Sequence, residues 1–384
     1  MCFINESVLG IEISGIRKFL NIASNYPNAL SLTIGQPDFK TPDHIIKKSI
    51  EALENGYTVY TPNKGITPLL KGVSSYMNTK YSLNYSSEDE IIVTNGASEA
   101  IDTALRTIIS SGDEVIIPSP AYPGYEPLIK ILGGKCIYID TTEDNFKLTA
   151  SKLKNAITKN TKCLILPYPS NPTGTTLTYE EILSIAQVAL DNNILVLSDE
   201  VYSELCYNGP HISIGNIDFI RNNVIIVNAL SKSHSMTGFR IGFLLAPKYL
   251  TDNFVKVHQY NSTCTSSISQ YAALEAVTTG LDDPLYMKAE YIKRRDYVYN
   301  RLVDMNLNCT LPTGGFYFFP SIKKFNPSSY DFALDLLDKA GVAVVPSTAF
   351  SGGIDGYIRI SYVCSMENLQ EALNRLENYL ITNF

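Results

Sequence analysis

A lysine lies in a short polar stretch between two apolar runs. Lys232 belongs to "NALSKSHSMTGFR", residues 228–240, which follows "VIIV" and precedes "IGFLLAP". This position predicts an amine just past a buried strand, where it loses water and has no acidic neighbour in the sequence. Burial lowers the pKa of a lysine from about 10.4, so the neutral amine becomes a nucleophile that can form an imine. A lysine that only extends its charged end to solvent is the competing interpretation.

Two further groups favour the chemical interpretation. Asp199 follows the apolar run "ILVLS", and a carboxylate at a strand end can pair with a pyridinium nitrogen. Arg240 and the turn "NGAS", residues 95–98, offer a guanidinium and free backbone N–H groups of the kind that bind a phosphate. A lysine, a carboxylate and a phosphate cradle together match the needs of pyridoxal 5'-phosphate (PLP).

Predicted strands and helices alternate around these residues. Short β-branched runs predict strands, and segments of helical period such as 98–110, 149–158 and 178–190 predict helices between them. The predicted strands are 90–94, 114–118, 135–139, 162–167, 194–198 and 223–227. This alternation is typical of an α/β domain with a mostly parallel sheet, whose ligands bind beyond the carboxyl ends of the strands. "SPAYPGY", "YPSNPTGT" and "DEVY" follow three of these strands, so we expect them to meet Lys232 in one pocket.

The character of the sequence changes near residue 281. A long charged helical segment leads into shorter predicted strands at "GGFYFFP", "GVAVVP" and "GYIRISY", and then into a closing helix, "SMENLQEALNRLENYL". We interpret this part as a smaller α+β domain. The first 40 residues are too short for a core of their own and are expected to pack against it. The predicted division is a large domain of 41–280 and a small domain of 1–40 with 281–384.

Composition narrows the class of partner. The 384 residues are 45% hydrophobic, and no apolar run approaches the roughly 20 residues of a membrane span, so we expect a soluble protein. The amino terminus lacks the pattern of a secretory signal, which favours a cytoplasmic location. The seven cysteines are scattered singly without metal-binding spacing, and the net charge is −7. These features argue against a disulfide framework, a metal site and a nucleic-acid partner, and favour a small-molecule ligand.

Five separated motifs carry a resemblance to a known family. "PAYPGYEP", "YPSNPTGT", "SDEVYSEL", "ALSKSHSMTGFRIGF" and "YIRISYVCSMENL" are similar, in order and spacing, to those of the class I aminotransferases. The resemblance implies the PLP-dependent transferase fold type I: a large α/β domain on a mostly parallel, seven-stranded sheet and a smaller α+β domain. It also implies PLP-dependent amino transfer between amino acids and 2-oxo acids. Within the family, the chain most resembles the aminotransferase A type, the N-acetyl-L,L-diaminopimelate aminotransferases of lysine biosynthesis, with glutamate as the expected donor.

The resemblance also implies a role for each matched residue. Lys232 would bind PLP covalently and move a proton, while Asp199 would pair with the ring nitrogen. Tyr122 would stack on the ring, with ordinary core packing as the alternative. Asn171 and Tyr202 would bond the phenolic oxygen. The phosphate would be held by Gly96, Ala97, Ser98, Ser231, Arg240 and, from the neighbouring subunit of a homodimer, Tyr60.

Substrate binding is implied at a separate set of residues. Arg359 in "YIRIS" would hold the substrate α-carboxylate as a bidentate partner, assisted by the Gly35 backbone and by Asn171. One departure from the family concerns the phosphate. Ala229 stands where many relatives have a serine, so the other phosphate ligands must compensate.

A second, distal substrate carboxylate has two candidate sites. Arg17 in "SGIRKF" is one, and a surface or interdomain salt bridge is the alternative role for this arginine. The loop "VPSTAF", with Ser347 and Thr348, is the other, and it departs from the family pattern because it lacks the glycine that often follows Val-Pro.

Two other functions stay open. A PLP-dependent lyase that cleaves a C–S bond would use the same cofactor residues. Accumulation of pyridoxamine phosphate, when a donor is added without an acceptor, distinguishes a transaminase from such a lyase. A non-catalytic regulator built on the same fold would need an added DNA-binding module, for which the segment before the first motif is short.

Overall fold

The computed structural model describes residues 3–325 and 328–384. Its strands are β1 (Leu30–Ser31), β2 (Ile91–Thr94), β3 (Glu114–Ser119), β4 (Lys135–Asp140), β5 (Thr161–Leu166), β6 (Leu195–Asp199), β7 (Val224–Ala229), β8 (Gly242–Leu245), β9 (Tyr317–Phe318), β10 (Val342–Ala343), β11 (Val345–Pro346) and β12 (Ile358–Ser361). Its α-helices are α1 (Glu6–Leu9), α2 (Gly15–Ala23), α3 (Asp43–Glu54), α4 (Thr67–Tyr81), α5 (Ala97–Ile108), α6 (Tyr125–Ile131), α7 (Ala150–Ala156), α8 (Tyr179–Asp191), α9 (Leu230–Ser233), α10 (Lys248–Asn261), α11 (Ser267–Thr278), α12 (Asp283–Asp304), α13 (Ser329–Ala340) and α14 (Met366–Asn383).

A seven-stranded sheet forms the centre of the molecule. Its strand order is β2-β8-β7-β6-β5-β3-β4, and β8 runs antiparallel to both of its neighbours while the other paired strands are parallel. The predicted α/β architecture with a mostly parallel sheet is therefore confirmed. All six residues of β7 are buried, because helices cover both faces of such a sheet.

The two faces of the sheet contribute to different hydrophobic cores. Along β7, Val224 and Ile226 belong to one core, whereas Ile225 and Val227 belong to the other. This alternation follows from the two-residue period of a strand. The apolar character of successive residues thus secures the sheet between two helical layers and fixes where its strand ends lie.

A third core joins the two ends of the chain. Phe19 and Leu32 pack with residues from α12 to α14 and from the short strands β9, β10 and β12. The parallel pairing of β1 with β10, in which Leu30 is opposite Val342, ties the amino-terminal segment to this region. β11, β12 and β9 form an antiparallel sheet beside it. The domain division at residues 40 and 280 stays a prediction.

No helix in the described part of the chain is both long enough and apolar enough to cross a membrane.

Candidate active site

The carboxyl ends of five strands of the central sheet lie at one edge, where the following segments surround a cavity of about 590 Å³. Strands β2, β3, β5, β6 and β7 end there. The cavity is lined by most of the residues singled out from the sequence: Gly35, Ala97, Ser98, Tyr122, Asn171, Asp199, Tyr202, Ser231, Lys232, Arg240 and Arg359. The expected convergence of strand ends on one pocket is observed.

Lys232 lies on α9, the single turn of helix that directly follows β7. Its partly buried amine donates a hydrogen bond to the carbonyl oxygen of Gly35 at 2.6 Å. Burial, and then the positive charges of Arg240 and Arg359, lower the pKa of Lys232 to about 8, although Asp199 acts in the opposite direction. A useful fraction of this amine is therefore neutral and nucleophilic near neutral pH.

Asp199 is the last residue of β6 and is 7% exposed. The Tyr125 hydroxyl donates to its Oδ2 at 2.6 Å, and the Val201 N–H donates to its Oδ1 at 3.3 Å. Burial raises the pKa of Asp199 to about 6, and these two hydrogen bonds oppose the rise. Among the described residues, no cation lies within ion-pair distance of this carboxylate. It is therefore available to pair with a cationic group of a ligand.

An anion cradle lies where β2 leads into α5. Gly96 has a φ of 79°, and a Cβ at this position would collide with the Arg240 guanidinium. Ala97 begins α5, and the first N–H groups of a helix lack intrahelical partners and carry partial positive charge. Within the described residues, Arg240 donates only to the backbone carbonyls of Thr237 and Asn95, at 3.1 and 3.4 Å. This donor set fits the phosphate of PLP.

Arg359 projects from β12 and is only 2% exposed. Its Nη1 donates to Asn171 Oδ1 at 2.9 Å, its Nη2 donates to the Thr33 carbonyl at 2.8 Å, and its carbon Cζ lies 4.3 Å from the centroid of the Tyr317 ring. Its Nε is buried without a hydrogen-bond partner in the described residues. Because a buried guanidinium without an anion is unfavourable, a carboxylate would complete this site.

The aromatic residues at the pocket are held by local packing. The Tyr122 ring covers Gly124, where an added Cβ would collide with it, and Tyr122 is 37% exposed. Tyr202 is buried, and its hydroxyl lies 3.1 Å from the Tyr317 hydroxyl. Ser231 is also buried at the pocket wall. Tyr122, Tyr202 and Ser231 thus all line the same cavity.

Some expected residues lie elsewhere. Tyr60 is 85% exposed and does not line the cavity of its own chain, so a contact with a neighbouring subunit stays a prediction. Ser347 and Thr348 are likewise not among the residues that line the cavity, and Ser347 Oγ instead accepts a hydrogen bond from the Tyr357 N–H at 3.2 Å. The role of the "VPSTAF" loop as a distal-carboxylate site therefore stays a prediction.

Three contacts were not foreseen from the sequence. Tyr125 bonds Asp199, the Thr33 carbonyl bonds Arg359, and Tyr317 stacks against Arg359. Of these residues, only Tyr125 could have been placed near the site from the sequence, because it lies in the motif "PAYPGYEP", three residues after Tyr122. The other contacts join segments that are far apart in the sequence.

The charges that line the cavity are strongly unbalanced. Arg17, Lys232, Arg240 and Arg359 are cationic, while Asp199 is the one carboxylate among the described residues of the lining. None of the three arginines has an acidic partner within ion-pair distance in the described part of the chain. The pocket is therefore built to accept several negative charges, as a phosphate and substrate carboxylates would supply.

Known proteins share both the sequence and the fold of this chain. The family model described as aminotransferase class I and II matches residues 27–376. A Bacillus subtilis (strain 168) protein named probable N-acetyl-LL-diaminopimelate aminotransferase is 54% identical over 378 residues, which are 98% of this chain and 96% of that protein. An aspartate aminotransferase of Pyrococcus abyssi (strain GE5 / Orsay) is 39% identical over 377 residues, 96% of each chain. The solved aspartate aminotransferase of Thermus thermophilus with maleate superposes with a TM-score of 0.94 at 32% identity, over 98% of this chain and 100% of that one.

Proposed function

Because the chain belongs to the class I and II aminotransferase family and has PLP fold type I, we propose that the pocket around Lys232 binds PLP. The chain is an aminotransferase. In our proposal it moves an amino group between glutamate and a 2-oxo acid that carries a second carboxylate, with N-acetyl-L,L-diaminopimelate as the product to test first. One observation carries the site assignment: a partly buried lysine, one carboxylate without a cationic partner and three arginines without acidic partners, as far as the described residues go, share one cavity.

The chemistry of the site would divide between Lys232 and Asp199. When bound, PLP supplies an electron sink that stabilises negative charge at the substrate α-carbon. Lys232 Nζ would bond the cofactor covalently and, once displaced by substrate, would take the proton from the α-carbon. Asp199 would hold a proton on the ring nitrogen by its negative charge. Asn171 and Tyr202 would bond the phenolic oxygen, and Tyr122 would stack on the ring.

The phosphate would be bound at the start of α5. Gly96, Ala97 and Ser98 would offer backbone and hydroxyl donors, with Ser231 and Arg240 completing the set. Tyr60 is exposed on its own chain, and we propose that it reaches the phosphate site of a second copy. The proposal therefore includes a homodimer. A cytoplasmic location is a further part of the prediction.

The two substrate carboxylates would bind at opposite ends of the pocket. Arg359, with Asn171 and the Gly35 backbone, would hold the α-carboxylate. Arg17 lines the same cavity and has no acidic partner among the described residues, which supports a role in substrate binding over a salt bridge. We therefore propose Arg17 as a ligand of the distal carboxylate. The names of the relatives support this choice, because diaminopimelate derivatives, aspartate and maleate all have two carboxylates.

Trapping of the cofactor tests the assignment of the lysine. Borohydride treatment of the yellow purified protein should fix PLP on the peptide that contains Lys232, and Lys232→Ala should lose nearly all turnover while keeping its fold. A reduced adduct on Lys248 or Lys256 would contradict the proposal. Addition of glutamate alone should convert the cofactor to pyridoxamine phosphate, as expected for a transaminase and not for a lyase.

Steady-state kinetics test the substrate. Arg359→Lys should lower kcat/KM to a similar extent for glutamate, alanine and N-acetyl-L,L-diaminopimelate, since all three share the α-carboxylate. Arg17→Ala should selectively lower kcat/KM for the two dicarboxylates. The expected loss is on the order of 1–3 kcal/mol, the value of a hydrogen bond to a charged group. Equal losses for all three would remove Arg17 from the substrate site. Failure of the parent protein to use the acylated compound would remove that substrate.

A further inference from the structure

Tyr125 makes the shortest contact of the Asp199 carboxylate. The tyrosine is 2% exposed, and its hydroxyl lies 2.6 Å from Asp199 Oδ2. Burial and the negative charge of Asp199 raise the pKa of Tyr125 well above its ordinary value, so the phenol keeps its proton and is the donor. A neutral donor thus meets the carboxylate where an ion pair would otherwise be expected.

Local structure fixes the position of this donor. Tyr125 is the first residue of α6, in the turn "AYPGY". Gly124 leaves room for the Tyr122 ring, which meets the Tyr125 ring edge-on at 5.5 Å and 82°. One turn therefore directs two tyrosines differently: Tyr122 is partly exposed at the cavity, and Tyr125 is buried against Asp199.

The other groups around Asp199 interact with its carboxylate less closely than Tyr125 does. The Val201 N–H bonds the other carboxylate oxygen at the longer distance of 3.3 Å. Glu200 is a neighbouring negative charge that disfavours ionisation, and Lys232 is a positive charge that favours it. The phenols of Tyr122 and Tyr202 also lie within electrostatic range, and both are uncharged at neutral pH. Tyr125 is accordingly the closest hydrogen-bond donor to this carboxylate in the described structure.

We propose that Tyr125 is a positioning residue that keeps Asp199 ionised and oriented, leaving the remaining lone pairs of the carboxylate for the ring nitrogen of PLP. The ring nitrogen enters only through the proposed function. The hydrogen bond and its effect on Asp199 do not depend on the cofactor. The alternative is that Tyr125 is a packing residue whose hydroxyl has no consequence.

The first test uses the full chain without cofactor. A carboxylate whose folded pKa is raised stabilises the fold at low pH and loses that contribution as pH rises through the folded pKa. The difference in melting temperature between the protein and its Asp199→Asn variant, followed from pH 4 to pH 9, isolates this titration. In the Tyr125→Phe background, the transition should move at least about one pH unit higher, because a hydrogen bond to the ionised form is gone. Tyr85→Phe is the matched control, since the Tyr85 hydroxyl is buried without a hydrogen-bond partner in the described residues.

The second test uses the enzyme with PLP. Tyr125→Phe should weaken PLP binding, measured by absorbance titration, about ten- to a hundredfold, the effect of losing one hydrogen bond to a charged group. It should lower kcat more than it raises KM. In the Asp199→Asn background the same change should have little effect, because the charge that needs the donor is absent.

Three outcomes would overturn the proposal. The pH transition could be the same in the Tyr125→Phe and Tyr85→Phe backgrounds, or Tyr125→Phe could weaken PLP binding equally with and without the Asp199 charge. Alternatively, both Tyr125→Phe and the Tyr125→Phe/Asp199→Asn double variant could fail to fold, which would mean that the hydroxyl supports the fold without acting through the Asp199 charge. A parent protein that bound no PLP would remove the proposed function, yet the cofactor-free titration would still decide the role of Tyr125.

Discussion

Two adjacent carboxylates at the end of β6 have opposite environments. Asp199 lines the cavity, and among the described residues its hydrogen-bond donors are all neutral. Glu200 is fully buried on the other side of the strand, where its Oε1 accepts hydrogen bonds from Ser198 and Ser213 at 2.8 and 2.6 Å. Its Oε2 lies 3.1 Å from Nε2 of His211, whose side chain is 6% exposed. Within the described residues, Glu200 therefore has a cation within ion-pair distance and Asp199 does not.

The difference separates a charge that is paired within the fold from one that is not. Burial alone would lower the pKa of His211, but the Glu200 carboxylate and the Cys206 thiol together outweigh it and raise that pKa to about 10, so the imidazole is protonated at neutral pH. Asp199 has a pKa of about 6 because burial is only partly opposed. A charge that is compensated within the fold supports stability. A buried charge without a partner can bind a cationic ligand group, but it lowers the stability of the ligand-free protein.

The largest change in stability is expected when the pair of Glu200 and His211 is broken. Glu200→Gln leaves the His211 imidazolium without its anion and should lower the free energy of unfolding by about 3–5 kcal/mol, as breaking a buried pair does. A raised folded pKa stabilises below the unfolded value of His211 and loses this contribution between about pH 6.5 and pH 10. Chemical denaturation at pH 6.5 and pH 10 should therefore give a large loss at the lower pH and a smaller one at the higher. Equal losses at both would mean that the pair is not charged.

The same chemical change one residue earlier should have the opposite sign. The pKa of Asp199 rises from 3.8 to about 6 on folding, so its ionised form disfavours the fold at neutral pH. Asp199→Asn should stabilise the cofactor-free protein by up to about 3 kcal/mol at pH 8, at about 1.4 kcal/mol per pKa unit, and by almost nothing at pH 3.5. Denaturant titrations at the two pH values measure this. With PLP present, the variant should show no such gain, since in our proposal the carboxylate then has a partner. A persisting gain would contradict its proposed role on the ring nitrogen.

Much of this fold could be predicted from the sequence because its strands are continuous apolar runs. The observed β3, at Glu114–Ser119, differs from the predicted 114–118 by one residue, and β7 extends two residues past its predicted end. The antiparallel direction of β8 was not predicted, because "IGFLLAP" shows that a strand is buried but not which way it runs.

The site was predictable to a similar degree and for a different reason. Side chains that directly follow parallel strands must share one edge of the sheet, so Asp199 and Lys232 were expected together. Their partners were not predictable. Tyr125 is 74 positions from Asp199, and the Thr33 carbonyl is 326 positions from Arg359, and neither contact follows from a repeating pattern. The partner of the Asp199 carboxylate is decided by such a distant contact.

The pKa of Lys232 can be measured directly and tests the electrostatics of the cavity that contains Asp199. Its amine should react with trinitrobenzenesulfonate in the cofactor-free protein with a midpoint at about pH 8, against an ordinary value of 10.5. Burial is the main cause of this decrease, and Arg240 is the next. Arg240→Gln should therefore move the midpoint upward by a fraction of a unit, as followed by peptide mapping of the labelled lysine. An unchanged midpoint would mean that burial alone sets the pKa.

The smallest effect is expected where water reaches an ion pair. His44 lies 3.0 Å from Glu275 Oε1 and 2.9 Å from Asp283 Oδ2, and its side chain is 36% exposed. Burial lowers the pKa of His44, but the hydrogen bonds to the two carboxylates outweigh it and give a net rise. Because the folded pKa is raised, the contribution is present below about pH 6.5 and is lost as pH increases through the folded value. His44→Gln should therefore cost at most about 1 kcal/mol at pH 5.5 and less at pH 9, as for other exposed pairs. Melting curves at both pH values, with and without 1 M salt, provide the check, since salt should reduce the difference at pH 5.5. A loss as large as that of Glu200→Gln would show that exposure to water does not separate the two histidine pairs.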